Sequence, residues 1–146
     1  MHNPWLQHYP PGVPAAARID AYRSLTELLE AAFQRHASRD ALACMDSRMS
    51  FRDVDEMSQS LGAWLQSLGM ERGARVAVMM PNLPQYLVAI AAILRAGYVV
   101  VNVNPLYTAR ELEHQLTDSG AEAVIVLENF APVSYTHLTL PTKRIV

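Results

Sequence analysis

Cys44 is the only thiol in the 146-residue sequence, and a thiolate there would be a nucleophile. Its neighbours Ala43 and Met45 are apolar, and no nearby pair of cations would activate it, so it reads better as a buried structural thiol. Glu111 and His114 lie three apart on a helical pattern and could offer two ligands to one metal ion. A closed metal site needs more than two, and a solvated helix face is the better reading. His2, His8, His36 and His137 show no ligand spacing. No residue is therefore assigned as catalytic, cofactor-binding or metal-binding.

Nucleotide chemistry needs a phosphate cradle. The sequence has no G-x-G-x-x-G turn after a strand and no G-x-x-x-x-G-K-[ST] loop. Lysine occurs once, at Lys143, so no lysine can close on a phosphate earlier in the chain. A receiver domain would need acids at its strand ends, where Met80-Pro81 and Val103-Asn104 stand instead. In open α/β sheets, ligands sit beyond the carboxyl ends of the strands. That singles out the loops Met80–Leu83 and Asn104–Tyr107. They could line a site, or their prolines could simply turn the chain, and the residues leave both readings open.

The elements that would position these loops occupy the stretch from Arg75 to Leu127. Three short apolar runs, Val76–Met80, Tyr98–Val103 and Ala123–Leu127, alternate with two helical patterns. That rhythm predicts a β-α-β-α-β unit with a parallel sheet and helices packed on it. Asn82 or Leu83 caps the first helix, with Pro84 in its first turn. Leu87, Ile90, Ala91 and Leu94 should face the sheet, and Gly97 ends the helix. Thr108-Ala109-Arg110-Glu111 is a capping box for the second helix, with Leu112, Gln115 and Leu116 across its faces, and Gly120 closes it.

Upstream, Ser24-Leu25-Thr26-Glu27 is another capping box, opening a helix with the stripe Leu25, Leu28, Leu29, Ala32 and Phe33 that ends near His36. Asp40–Met45 reads as a strand, paired with Met49–Phe51 across an Asp46-Ser47-Arg48 turn. Ser50 and Asp53 repeat the capping pattern ahead of Val54, Met57, Leu61, Trp64, Leu65 and Leu68, and Gly69 fits the left-handed position after that helix. Residues 1–23 hold four prolines, which forbid a continuous helix or central strand. They read as an extended leader whose aromatics, Trp5, Tyr9 and Tyr22, pin it to the domain. A proline-rich ligand for a partner is the weaker alternative, because no regular PxxP repeat is present.

With 51% hydrophobic residues, a core can be buried. A net charge of −2 gives no electrostatic footprint for nucleic acid. The amino terminus lacks the pattern of a signal peptide, and the longest apolar run, Leu87–Leu94, is too short to span a bilayer. A soluble, reducing, cytoplasmic setting is expected.

Several pieces together resemble bacterial long-chain fatty acid–CoA ligases of the adenylate-forming superfamily. They are Trp5 with Tyr9-Pro10, Met79-Met80-Pro81-Asn82, Ile93-Leu94-Arg95-Ala96-Gly97, and the run from Val101-Asn102-Val103-Asn104-Pro105-Leu106-Tyr107-Thr108 through Arg110–Leu116 to Asp118-Ser119-Gly120-Ala121. The resemblance implies an α/β fold: an incomplete parallel sheet, the early part of a large N-terminal AMP-binding domain. It implies activation of a fatty acid by ATP with Mg²⁺ to an acyl-adenylate, followed by transfer to coenzyme A. Peripheral contact with the inner face of the membrane is compatible with a lipid substrate, but no amphipathic basic helix argues for it. Oligomeric state is not legible. The family's phosphate loop, adenine and ribose contacts and C-terminal lysine come later in the chain and fall on no residue here.

The resemblance runs from about Trp5 to Ala131. It divides the chain into a leader (1–23), a partial AMP-binding domain (24–132) and a tail (133–146). The tail, Val133 to Val146, contains no acid, the only lysine and three of the six threonines, a break in composition. It resembles the peptide read through a transposon-end sequencing adapter and is read as non-native; a genuine strand is the alternative. On this reading the chain forms no acyl-CoA by itself, and Ala123–Leu127 is left as an unpaired apolar edge that makes it poorly soluble. Two alternatives stay open: a stand-alone α/β interaction module, and a ligase for medium-chain or aryl acids.

Overall fold

A computed structural model describes residues 3–16, 20–135 and 143–145. Three parallel strands, β3 (Arg75–Met79), β4 (Val99–Val103) and β5 (Ala121–Val126), alternate with helices α3 (Pro84–Arg95) and α4 (Ala109–Ser119). The sequence predicts this rhythm, with each strand placed within two residues. The first strand stands in the middle, flanked by β4 on one side and β5 on the other. The crossovers β3–β4 and β4–β5 therefore run in opposite directions. Two crossovers of one hand then require helices on opposite faces of the sheet. Ala89, Ala92, Ile93 and Ala96 accordingly pack on one face with Val76 and Val78, and Leu112 and Leu116 pack on the other with Ala77, Met79 and Val124.

This order corrects the expected edge. β5 is not an edge strand, because a short strand, β6 (Lys143–Ile145), pairs with it in parallel. β4 holds the outer position instead. The expected sheet-facing set on α3 is also corrected: Leu87, Ile90 and Leu94 are only half-buried. α3 is apolar all round, so periodicity cannot select its face. Its second side, Val88 and Ala91, packs against Phe33 of α1 (Leu25–His36) and Val54 of α2 (Phe51–Ser67).

On α2 the buried positions are Val54, Ser58, Gly62 and Leu65, while Met57 and Trp64 are exposed. The expected stripe of large residues is displaced because α2 meets α3 closely through small ones. A methyl group on Gly62 would sit 3.2 Å from the Ala92 carbonyl oxygen. On α1 only Phe33 is fully buried, and Leu25 and Leu28 are exposed. A hairpin, β1 (Asp40–Cys44) and β2 (Ser47–Ser50), precedes α2. Its turn is Met45-Asp46 rather than Asp46–Arg48, with Met45 at φ 52°. The leader forms a 3-10 turn at Pro4–His8, and Trp5 (55% exposed) and Tyr9 are not buried against the domain as expected.

Helix ends follow the capping chemistry of the sequence. The Ser50 hydroxyl accepts from the Asp53 N–H (3.1 Å), and the Asp53 carboxylate accepts from the Ser50 N–H (2.8 Å) and hydroxyl (2.7 Å). Thr108 and Glu111 repeat the arrangement at α4. Gly120 closes that helix at φ 63°. At α1 the box is half made. Ser24 accepts from the Glu27 N–H, but Glu27 turns back to the Arg23 N–H instead of that of Ser24.

These bonds to Ser50 hold the Asp53 carboxyl below its ordinary value of 3.8, and those to Thr108 hold Glu111 below 4.5. A depressed carboxyl stabilises the fold fully above its ordinary pKa, and the effect fades as pH falls through the folded value. Urea midpoints should therefore drop as pH is lowered from 6 through the range below 4.5. Ser50→Ala with Thr108→Ala should flatten that drop, and an unchanged pH slope would refute the assignment.

Candidate functional site

Because β3, β4 and β5 are parallel, their carboxyl ends, Met79, Val103 and Val126, lie at one end of the sheet. The loops Met80–Leu83 and Asn104–Tyr107 are brought together there. The N-cap of α3 is Leu83, which supplies no side-chain cap, and Pro84 follows in the first turn. The first turn of α3, Pro84–Leu87, carries no cation that could hold an anion. In the second loop, Asn104 Oδ1 accepts from the Leu106 N–H (3.0 Å), and its carbonyl accepts from the Tyr107 N–H (3.1 Å). These bonds turn the chain from β4 into the Thr108 cap. The Tyr86 hydroxyl donates to Asn102 Oδ1 (2.8 Å), tying α3 to the end of β4.

Beside the first loop lies a cavity of about 280 Å³, lined mainly by apolar groups from the hairpin, the loop itself and α3: Leu42, Cys44, Asn82, Leu83, Tyr86 and Leu87. Cys44 is half-buried here at the end of β1, not fully buried as the sequence suggests. No second reactive group accompanies it on this wall, so the wall offers packing and no evident chemistry. Glu111 and His114 do fall on one helix, and both are exposed. The Glu111 carboxylate is already committed to the Thr108 cap. Among the described residues no three His, Cys, Asp or Glu side chains converge to hold a metal ion.

The most developed polar constellation lies elsewhere and supports the scaffold. The Arg95 guanidinium donates to the Asp55 carbonyl (2.9 Å) and the Ser58 hydroxyl (2.8 Å) and pairs with the Asp55 carboxylate. It also lies 5.0 Å from the Phe33 ring centroid and 3.8 Å from Glu30. One side chain thus binds α1, α2 and α3 together. In the sequence, Arg95 stands out only as one residue of the Ile93–Gly97 stretch that carries the family resemblance. A lone charge on an otherwise apolar, two-sided helix is the signal that could have found it.

The profile of the AMP-binding enzyme family matches residues 29–144. The chain belongs to that family. The match covers most of the described fold and reaches into the tail region, 133–144. The long-chain-fatty-acid–CoA ligase of Salmonella typhimurium is 55% identical over 132 residues, 90% of this chain and 24% of that protein. The Bacillus subtilis protein of the same name is 35% identical over 138 residues, 94% of this chain and 24% of its own length. Among solved structures, an anthranilate CoA ligase in complex with anthranoyl-AMP superposes with a TM-score of 0.70 at 28% identity, covering 74% of this chain and 21% of that one. The chain thus spans about a quarter of the length of the curated relatives it matches. The fold class read from the sequence, an incomplete parallel α/β sheet of an adenylate-forming N-terminal domain, is the one found. Within this AMP-binding family, the segment present is the sheet, its helices and the loops above it.

Proposed function

We propose that the protein of which this chain is a part activates long-chain fatty acids with ATP and transfers the acyl group to coenzyme A, and that residues 24–132 serve in it as scaffold. The observation that carries the substrate class is the 55% identity over 132 residues to a long-chain-fatty-acid–CoA ligase. An aryl acid is the second reading, because the superposed ligase acts on anthranilate. Its identity of 28% is half as high, which favours the fatty acid.

A carboxylate is a poor electrophile. Transfer to the α-phosphate of ATP expels pyrophosphate and makes AMP the leaving group, and the thiol of coenzyme A then attacks the acyl carbon. Such chemistry needs fixed positive charge where phosphate charge develops. The loops Met80–Leu83 and Asn104–Tyr107 present Asn, Pro, Leu and Tyr, with no cation. These residues do not fit ATP phosphates or Mg²⁺, so no step is routed through them. What this chain does is position: Tyr86–Asn102 and the Asn104 turn fix the loops at the carboxyl end of the sheet.

Residues 133–146 are proposed to be foreign to the domain on their composition. Three observations weigh against this: the family match runs to 144, α5 (Ala131–Tyr135) crosses the proposed boundary without a break, and β6 (Lys143–Ile145) pairs with β5. A cytoplasmic location with peripheral membrane contact is the working expectation for an enzyme taking a lipid. Among the described residues no helix is long and apolar enough to cross a membrane.

The test is to recover the genomic reading frame through and beyond residue 132 and assay its product with ATP, coenzyme A and either palmitate or anthranilate. Palmitoyl-CoA should form and anthraniloyl-CoA should not. The reverse preference would overturn the substrate class. Genomic DNA that encodes Val133–Val146 without adapter sequence would overturn the reading of the tail.

A further inference from the structure

A groove of about 690 Å³ opens between the start of α1, the end of α2 and the turns that lead into β3 and β4. It lies at the amino ends of these strands, away from the loops Met80–Leu83 and Asn104–Tyr107. Thr26, Gln66, Met70, Arg72, Leu94 and Tyr98 stand on its walls, and no carboxylate does. Arg72 is held in place. The Gly73 N–H donates to the Gly97 carbonyl (2.9 Å), and the Tyr98 hydroxyl donates to the Met70 carbonyl (3.2 Å), which fastens the loop that bears it. The Arg72 stem runs over Gly97, where an added β-carbon would stand 3.5 Å from Cγ. Yet among the described residues no carboxylate pairs with the Arg72 guanidinium. The other cation in the groove, Arg95, is committed to Asp55 and Ser58.

We propose that this groove binds a small organic monocarboxylate, with its charge on Arg72 and its apolar body against Met70 and Leu94. A guanidinium presents a planar fork of donors that matches a carboxylate through two parallel bonds. The charge balance selects the class. One uncommitted cation answers one negative charge, so a phosphate dianion would be left half-neutralised. Glu30 lies with Gln66 and Arg95 on the adjoining recess and repels a second negative charge reaching that way. The Thr26 hydroxyl and the Gln66 amide are neutral donors for the remaining carboxylate lone pairs. Met70 and Leu94 are half-buried beside these polar groups, so a ligand that fills the groove carries an apolar part as well. The site stands apart from the loops at the carboxyl end of the sheet and does not rest on the ligase reading.

The test titrates octanoate into the chain labelled with ¹⁵N-glycine, whose six glycines give a simple amide spectrum. Gly73 and Gly97, which flank Arg72, should shift with a midpoint on the order of 1 mM, while Gly12 and Gly120 stay still. Arg72→Gln should weaken binding roughly 10-fold or more, through loss of a charge-assisted bond, with no change in the urea midpoint. Arg110→Gln, on α4, should bind as the unchanged chain does. Octanol has the apolar body without the charge, and inorganic phosphate has charge without the body; each should bind roughly 10-fold more weakly than octanoate. Phosphate or octanol binding as tightly as octanoate would overturn the ligand class. Unmoved Gly73 and Gly97, or an unaltered midpoint in Arg72→Gln, would overturn the site. Should the chain aggregate at the concentrations needed, equilibrium dialysis of radiolabelled octanoate against the product of the full genomic reading frame replaces the spectrum. Arg72→Gln should then bind one octanoate per chain fewer, and equal stoichiometry would overturn the proposal.

Discussion

Arg95→Ala should destabilise the chain by about 2–3 kcal/mol, seen as a lower urea midpoint by circular dichroism at low micromolar concentration. The Arg95 side chain is only 12% exposed, and its partner Asp55 is 26% exposed. Truncation removes the Arg95 donor from the Ser58 hydroxyl and from the Asp55 carboxylate, which keeps only the Gln59 amide (2.9 Å), and it removes the cation from the Phe33 ring. A fully buried pair broken on one side costs about 3–5 kcal/mol; partial exposure of Asp55 and of Glu30 lets water take up part of the loss. Arg95→Met keeps the packing of the stem and should recover some of it. Arg95→Lys should fall between, because an ammonium cannot make the forked contact with Asp55 and Ser58 together. A midpoint unchanged in Arg95→Ala would show that the three helices are held by apolar packing alone.

Gly62→Leu should cost about 2–3 kcal/mol for a different reason. Here nothing is lost; there is no room. A β-carbon alone meets the Ala92 backbone oxygen at 3.2 Å, and backbone gives way only if α2 and α3 move apart. That separation would draw Ser58 away from Arg95 and open the contact of Leu65 with Ala92 and Ile93. Gly62→Ala should cost less, because better helix propensity offsets part of the crowding. Ala63→Leu, one residue along on the exposed face, should be near neutral. Equal effects at 62 and 63 would contradict the close crossing.

These two sites show where the sequence was readable and where it was not. Element types were legible because their signals are local. Alternating apolar runs and helical spacing gave β3, α3, β4, α4 and β5, and the hydroxyl–carboxylate pairs at Ser50 and Thr108 gave helix starts. Strand order was not legible, because it depends on which way each crossover runs. That is why the sequence points to β5 as the edge and not to β4. Faces were misread where helices pack on two sides: periodicity favours large residues, so Met57 and Trp64 were preferred to Ser58 and Gly62. Arg95 was passed over because its partners lie 37 and 40 residues away in sequence. For the site, the residues showed what is missing from the loops above the sheet. The family itself came from a long run of particular residues, Leu94 to Ala121, which no periodicity would supply.

We propose that this chain is a scaffold without the ligase chemistry. The most direct measurement is ATP–pyrophosphate exchange dependent on palmitate, run on the purified 146-residue chain beside the product of the full genomic reading frame. Exchange should be catalysed by the longer protein and should not rise above background with the chain. Palmitate-dependent exchange catalysed by the chain alone would contradict it, because residues 1–146 would then hold a phosphate site that the loops Met80–Leu83 and Asn104–Tyr107 do not provide.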